Sequence, residues 1–183
     1  MNEIFKSPKD SEVAITELMI PSYANFSGKV HGGVLLSLMD KVAYASAAKH
    51  SGKYCVTVAV EGVEFLNPVE VGELVTLKAM VNYVGNTTML VGIRVETLKP
   101  ETGMVKHTNS CYFTMAAKNA NGELTSVPGL TLQSVQEIRR FCEGRLIKES
   151  SVVKRNLLKS DFNDVPVEEM ILSCYEDKCQ INL

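Results

Sequence analysis

Between Val34 and Ala48 the chain runs fifteen residues in which Asp40 and Lys41 carry the only charges. Ala, Leu and Met are plentiful, and neither Gly nor Pro intervenes before Gly52, so residues 34–49 are predicted to be helical. A helix with almost no polar face has to be wrapped by other structure. Fifteen residues rise about 22 Å, short of the ~30 Å core of a bilayer. Protein must therefore do the wrapping, and the question becomes what the rest of the chain offers.

It offers strands. Residues 54–66, 73–84, 88–98 and 104–118 are rich in Val, Thr, Tyr, Ile and Phe. Turn residues separate them: Asn67-Pro68, Gly72, Gly85-Asn86, Lys99-Pro100 and Asn121-Gly122. Residues 12–20 read as a first strand ended by Pro21, and Leu124–Val127 as a short last one. In the first long run Val56, Val58 and Val60 are expected on one face, Thr57 and Ala59 on the other. Long strands joined by tight turns make an antiparallel sheet. One apolar helix and one such sheet predict an α+β fold, the sheet curled around the helix.

The ends differ from this centre. Residues 1–11 are polar and predicted to fray. Residues 131–149 carry Val135, Ile138, Phe141, Cys142 and Leu146 at helical spacing, an amphipathic C-terminal helix. Residues 139–159 hold seven Lys or Arg against two Glu, a net of +5, and residues 160–183 hold six acids against one Lys, a net of −5. The expected division is a domain over 12–128 and a C-terminal helix with a charged tail over 129–183.

Several functions are disfavoured at once. The 183 residues have 19 Lys and Arg against 21 Asp and Glu, so the formal charge of −2 argues against a general nucleic-acid binder. No apolar run reaches the ~18 residues of a membrane span. The opening residues lack the basic-then-apolar order of a signal peptide. Five scattered cysteines (Cys55, Cys111, Cys142, Cys174, Cys179) form no CxxC pair and read as reduced thiols of a cytoplasmic protein. Cys111 and Cys142 are expected to pack in the core. Neither they nor His31, His50 and His107 have metal-ligand spacing, so no metal is expected.

Chemistry gathers at the start of the helix. A carboxylate among apolar residues, Asp40, is costly to desolvate and can have its basicity raised by such surroundings. The ordinary alternative is that Asp40 faces a solvent gap or pairs with a Lys. His31-Gly32-Gly33 runs directly into the helix, where free backbone N–H groups can hold a developing oxyanion. Asn25 lies upstream in the same loop, residues 21–33. Taken singly, Asn25 reads as turn chemistry and Gly32-Gly33 as a tight turn.

The segment Ala24-Asn25-Phe26-Ser27-Gly28-Lys29-Val30-His31-Gly32-Gly33-Val34-Leu35-Leu36-Ser37-Leu38-Met39-Asp40 resembles the signature of hotdog-fold acyl-CoA thioesterases, closest to the branch of bacterial YciA-type and cytosolic brain-type acyl-CoA hydrolases. Thr57-Val58-Ala59-Val60, Val63-Glu64-Phe65-Leu66-Asn67-Pro68, Val71-Gly72-Glu73, Val84-Gly85-Asn86-Thr87-Thr88-Met89 and Tyr112-Phe113-Thr114-Met115 agree with it in order and spacing. The resemblance spans roughly residues 12–128. It implies hydrolysis of acyl-CoA to fatty acid and CoA, with no cofactor beyond the CoA of the substrate. It implies a homo-oligomer, a dimer unit and three dimers in a hexamer, with the site between protomers. Asn25 and Asp40 match the catalytic pair, one from each chain, and the helix-start amide falls at Gly33. Asp40 would be general base or nucleophile, and Asn25 would orient the water or the carbonyl. His31 and Gly32 would shape the loop against the substrate, and Gly85, Asn86, Thr87 and Thr88 would touch CoA. Acyl-chain selectivity would depend on a tunnel past Met39 and Tyr44.

Two other readings share the fold. Hotdog dehydratases place their acid five residues after the helix-start Gly, which here is Leu38, whereas Asp40 is seven after Gly33. A non-catalytic acyl-CoA sensor would leave the pairing of Asn25 with Asp40 without a use.

Overall fold

The computed structural model describes residues 4–160 and 166–173. In chain order the elements are β1 (Phe5–Lys6), a 3-10 turn (Pro8–Ser11), β2 (Val13–Leu18), a second 3-10 turn (Pro21–Tyr23), α1 (Gly32–Ser51) and β3 (Tyr54–Glu61). Then follow β4 (Leu74–Val84), β5 (Thr88–Lys99), β6 (Met104–Lys118), β7 (Gly129–Leu130), α2 (Val135–Ser160) and α3 (Val167–Ser173). Five strands form one antiparallel sheet in the order β2-β4-β5-β6-β3, and β1 pairs with β7 in a separate parallel ladder. The chain divides into two compact units, residues 1–145 and 146–183.

The core of the first unit is the contact between α1 and the sheet. Met39, Val42, Ala43 and Ala47 meet Leu77, Val91, Phe113 and Met115, all essentially without exposed surface. Each of the Val, Leu, Phe and Met side chains among them contributes about 1.5–3 kcal/mol by leaving water. The sheet curls around one side of the helix only. Gly33, Ser37, Asp40, Lys41 and Tyr44 remain exposed on the other, so the expectation of a fully wrapped helix does not hold within one chain. Met39 lies inside the core, its Sδ 3.6 Å from the Cys111 thiol, rather than along a tunnel.

Residues 6–11 are tied down, against the expectation that they fray. Ser7 and Asp10 form a capping box around the 3-10 turn, with Pro8 at its first position. Ser11 is buried and its Oγ accepts from the Val81 amide at 2.9 Å. Lys6 Nζ donates to the His50 carbonyl at 2.6 Å, at the end of α1. Those bonds give polar residues partners that a periodicity argument does not see.

Other boundaries shift for local reasons. The helix begins at Gly32 because His31 caps it, and ends at Gly52, whose φ of +66° suits a residue without Cβ. The strand expected over 54–66 stops at Glu61, where Gly62 turns with a φ of +58°. Within it a bulge at Val58 breaks the alternation, so Thr57 faces the helix while Val58 and Val60 are exposed. Residues 124–127 make only an isolated bridge at Leu124; the short strand is Gly129–Leu130. The C-terminal helix starts at Val135, where Ser134 and Glu137 bond reciprocally as a capping box, and runs to Ser160 rather than 149. It meets the sheet at Gly144, where a Cβ would lie 2.8 Å from Tyr83 Cβ. Phe141 stacks tilted on Tyr83 at 5.0 Å. Cys55 and Cys111 are buried free thiols, whereas Cys142 is exposed, a correction to its expected core position. Burial pushes the Cys111 thiol up to about 12, which makes it unreactive. Cys174 and Cys179 lie outside the described residues.

Candidate active site

The loop before α1 is braced on several sides. Val30 N–H donates to Val69 O at 2.9 Å, and His31 N–H to Tyr23 O at 2.8 Å. Lys29 Nζ pairs with Glu70 at 2.5 Å, an ion pair that holds the Glu70 carboxyl below its ordinary range. Glu70 N–H in turn donates to the buried Glu73, whose other oxygen takes Lys106 Nζ at 2.9 Å. Phe65 lies over Gly32, its ring 3.4 Å from where a Cβ would stand, so a side chain at Gly32 would press on that ring.

Within this frame Asn25 organises its own turn. Its Oδ1 accepts from Ser27 N–H at 2.9 Å, Ser27 Oγ at 2.7 Å and Lys29 N–H at 3.1 Å. Three bonds to one oxygen fix the amide plane and leave the Nδ2 hydrogens as the donors it can offer a ligand. The half-buried side chain is thus preset as a donor. Both the turn reading and the site reading of Asn25 are satisfied by one geometry.

His31 is the N-cap of α1. Its Nδ1 accepts from the Gly33 N–H at 2.8 Å. The amide singled out for an oxyanion is therefore occupied by an imidazole nitrogen in this chain. An acceptor that comes to Gly33 has to exchange with the ring.

Asp40 sits two turns into α1 on the exposed face. Among the described residues it has neither a Lys partner nor an apolar cage; Thr57 Oγ1 on β3 donates to its Oδ1 at 2.5 Å. The same hydroxyl is 3.4 Å from Met115 Sδ. Thr57 is a candidate site residue that sequence reasoning missed, although it stands in the quoted motif, because Thr in a Val-rich strand reads as β propensity. Beside Asp40 on the same face, Tyr44 and Tyr54 pair at 6.2 Å between ring centroids, both exposed. No hydrogen bond joins Asn25 to Asp40 among the described residues. The chain presents the two groups separately.

Gly85, Asn86, Thr87 and Thr88 close the β4–β5 hairpin, with Gly85 N–H on Thr88 O at 2.7 Å. Neighbouring segments bond to this turn: Ala117 N–H on β6 donates to Thr87 O and Val127 N–H to Asn86 O, each at 3.0 Å. Gly85 and Asn86 border a cleft of about 480 Å³ with Phe5, Lys53, Ser126 and Pro128. That cleft is at the C-terminal end of α1, and the 20-residue helix, about 30 Å long, separates it from the His31-Gly32-Gly33 loop. One chain therefore does not bring the two sets of predicted residues together. Among the described residues no three His, Cys, Asp or Glu side chains gather as for a metal ion, and no helix is long and apolar enough to cross a membrane.

A curled antiparallel sheet on one long helix, with a carboxylate two turns in and a capped glycine start, defines the hotdog class of α+β proteins. Residues 27–104 match the thioesterase superfamily. The chain is 44% identical over 150 residues to protein VdlD of Helicobacter pylori, covering 82% of this chain and 84% of VdlD. It is 31% identical over 130 residues to the uncharacterized acyl-CoA thioester hydrolase YkhA of Bacillus subtilis, covering 71% and 76%. A crystal structure of an apo-hexameric acyl-CoA thioesterase superposes with a TM-score of 0.81 at 28% identity, over 84% of this chain and 99% of that one. The chain belongs to the hotdog acyl-CoA thioester hydrolases of the thioesterase superfamily.

Proposed function

We propose that the chain hydrolyses acyl-CoA in a site shared by two copies, with Asp40 of one and Asn25 of the other. Asp40 acts as general base: it takes a proton from a water whose oxygen attacks the thioester carbonyl. The carbonyl π electrons move to oxygen, and the tetrahedral oxyanion is held by the Gly33 N–H after the His31 ring yields it. Collapse expels the CoA thiolate, which takes up a proton, and the fatty acid leaves. Asn25 Nδ2 donates to the water or the carbonyl. Gly32 lets the acyl group approach the backbone, and the Gly85-Asn86-Thr87-Thr88 turn receives the CoA arm. The steps use only the chain and water, in a cytoplasmic enzyme.

The observation that carries this reading is the open face of α1. Asp40 is exposed there with Thr57, Tyr44 and Tyr54 beside it, and β3 is a sheet edge with Val58 and Val60 exposed. An apolar edge strand is a template for pairing with another chain. A second copy laid along β3 would cover the tyrosines and take Asp40 out of water. The resemblance to a hexameric acyl-CoA thioesterase supports three such pairs per assembly.

Mixing tests it. Asn25→Ala and Asp40→Ala chains are each expected to be inactive, and their mixture, after verified subunit exchange, to recover part of the CoA–SH release. Recovery near a quarter of wild type fits random pairing with one intact site in each mixed dimer. No recovery despite exchange rejects a shared site. A single-turnover reaction in ¹⁸O-labelled water tests direct attack by Asp40: label in its carboxylate would show an anhydride between Asp40 and the acyl group that water opens at the Asp40 carbon, the original carboxylate oxygen leaving with the fatty acid.

A further inference from the structure

At the tip of the turn that presets Asn25, Phe26 is the most exposed large apolar side chain among the described residues. The turn itself has no use for it. Such tips ordinarily carry Gly, Asn, Asp or Ser, and here Asn25, Ser27 and Gly28 already supply that chemistry. Asn25 N–H donates to Lys29 O at 2.6 Å and Gly28 N–H to Asn25 O at 3.0 Å. The bridges Ala24–Val30 and Lys29–Glu70 anchor the two legs. The ring therefore stands on a braced support, displayed away from its own chain. Aromatic side chains so displayed are characteristic of surfaces that meet another molecule.

Its position says what it meets. Phe26 follows Asn25 directly, so their Cα atoms are ~3.8 Å apart. Asn25 Oδ1 is engaged inside the turn, by Ser27 and Lys29, which leaves the tip as the part of the loop that leads outward. In the two-copy reading, on which this inference rests, Asn25 of one copy arrives at Asp40 of the other. Tyr44 stands one helical turn beyond Asp40 on the same exposed face, at the spacing where side chains are neighbours. It pairs with Tyr54 at 6.2 Å between ring centroids, and both rings remain exposed. Bringing Asn25 to Asp40 therefore brings Phe26 to the two tyrosines, and tilted aromatic rings accept a third.

We propose that Phe26 is a specificity-determining residue delivered in trans: its ring meets Tyr44 and Tyr54 of the second copy, and the three rings close the far end of the acyl pocket. The thioester carbonyl is held between Asn25 and Asp40, so the acyl chain has to run from there along apolar surface. On the Asp40 side that surface is the tyrosine pair, and on the Asn25 side it is Phe26. Aromatic side chains turn about only two χ angles and give a stiff wall. The pocket accordingly favours acyl groups that end before the wall. Asn25 and Phe26 divide the work of one turn: the amide addresses the reacting atoms, which every acyl-CoA shares, and the ring addresses the length of the chain, which differs between them.

Phe26→Ala tests this in the full chain, since it removes the ring and none of the turn's hydrogen bonds. The ratio of kcat/KM for decanoyl-CoA to that for butyryl-CoA is expected to rise about 10-fold or more, the least that one methylene admitted to an apolar pocket is worth. Phe26→Trp should lower the same ratio. Placement then shows whose pocket the ring serves. In a mixture of Asn25→Ala and Asp40→Ala chains, the one intact site takes Asn25, and Phe26 with it, from the Asp40→Ala chain. Phe26→Ala added to the Asp40→Ala chain should shift the ratio, and added to the Asn25→Ala chain should leave it as it was. An unmoved ratio in the first placement, or an equal shift in both, overturns the proposal. So does a loss of activity uniform across chain lengths, which would make Phe26 a docking residue only. A control mixture that is inactive with Phe26 intact rejects the shared site itself, and delivery in trans with it.

Discussion

Thr57 Oγ1 donates to Asp40 Oδ1 at 2.5 Å, joining the edge strand β3 to the middle of the central helix. This bond engages one carboxylate oxygen, and the proposed mechanism gives the base's role to the other, Oδ2. The bond also couples the proposed base to the strand at which a second chain would arrive, so pairing along β3 and the aim of Asp40 are set by one residue.

Asp40→Asn should lower kcat by about 10²–10⁴, the range typical of a positioned general base. Acyl-CoA binding should change little, so kcat and kcat/KM fall together. The melting temperature should hold, because Asn keeps an acceptor for Thr57 and the side chain is exposed. Steady-state hydrolysis and a thermal melt check both. A folded variant with more than about a tenth of wild-type kcat removes Asp40 from the mechanism.

Thr57→Val keeps shape and removes the hydroxyl. A hydrogen bond to a charged group is worth about 1.5–3 kcal/mol, so a loss of roughly 10- to 100-fold in kcat is the upper range. The effect should fall on kcat rather than KM. Thr57→Ser, which keeps the hydroxyl, should restore kcat. A variant with wild-type kcat would make the bond structural only.

His50 should make stability depend on pH. It is buried at the end of α1, its Nε2 sits 2.9 Å from Pro128 O, and its Nδ1 has no partner among the described residues. Burial holds its pKa below the ordinary 6.5. The folded state thus prefers the neutral ring, so this stability is present above the unfolded-state value and is lost as pH falls through the lower folded value. His50→Gln, which can still donate to Pro128, should lessen the acid-side fall in melting temperature, measured from pH 7 to 5. An unchanged slope would assign that fall to other groups.

Gly144→Ala sets two effects against each other. Alanine gains about 1 kcal/mol of helix propensity over glycine. The new Cβ would lie 2.8 Å from Tyr83 Cβ and 3.3 Å from Leu90 Cδ2. A Cβ is fixed to backbone and cannot swing aside, and overpacking of this kind costs about 1–3 kcal/mol. The clash should win, lowering the midpoint of urea unfolding. A stabilised variant would show that α2 rides loosely over β4 and β5.

The three long strands and the helix were legible because each has one dominant signal. Residues 73–84, 88–98 and 104–118 alternate between sharp turns, and 34–49 lack any breaker. What escaped depends on single polar bonds. Nothing in His31-Gly32-Gly33 looks helical until the imidazole is seen capping Gly33. Ser7 and Asp10 frame a turn only four residues long, below the window in which periodicity registers. The capping pair Ser134 and Glu137 could have been read from spacing alone and would have moved the start of α2. At the candidate site, Asn25, Gly33 and Asp40 stood out by residue type, whereas Thr57 acquires meaning only when β3 is laid against α1.

The His31 cap has a consequence for where one proton sits. Because Gly33 N–H needs a lone pair at Nδ1, the neutral ring must carry its hydrogen on Nε2, and the opposite tautomer would put two hydrogens face to face. The structure shows the ring in one setting, turned in, and the proposed chemistry requires a second, turned out. With the ring in, the helix is sealed and Nε2–H is the only donor it shows. With the ring turned out, the Gly33 amide is bare and Nδ1 is free to accept. The chemical shifts of the two imidazole nitrogens would report which setting the resting protein holds.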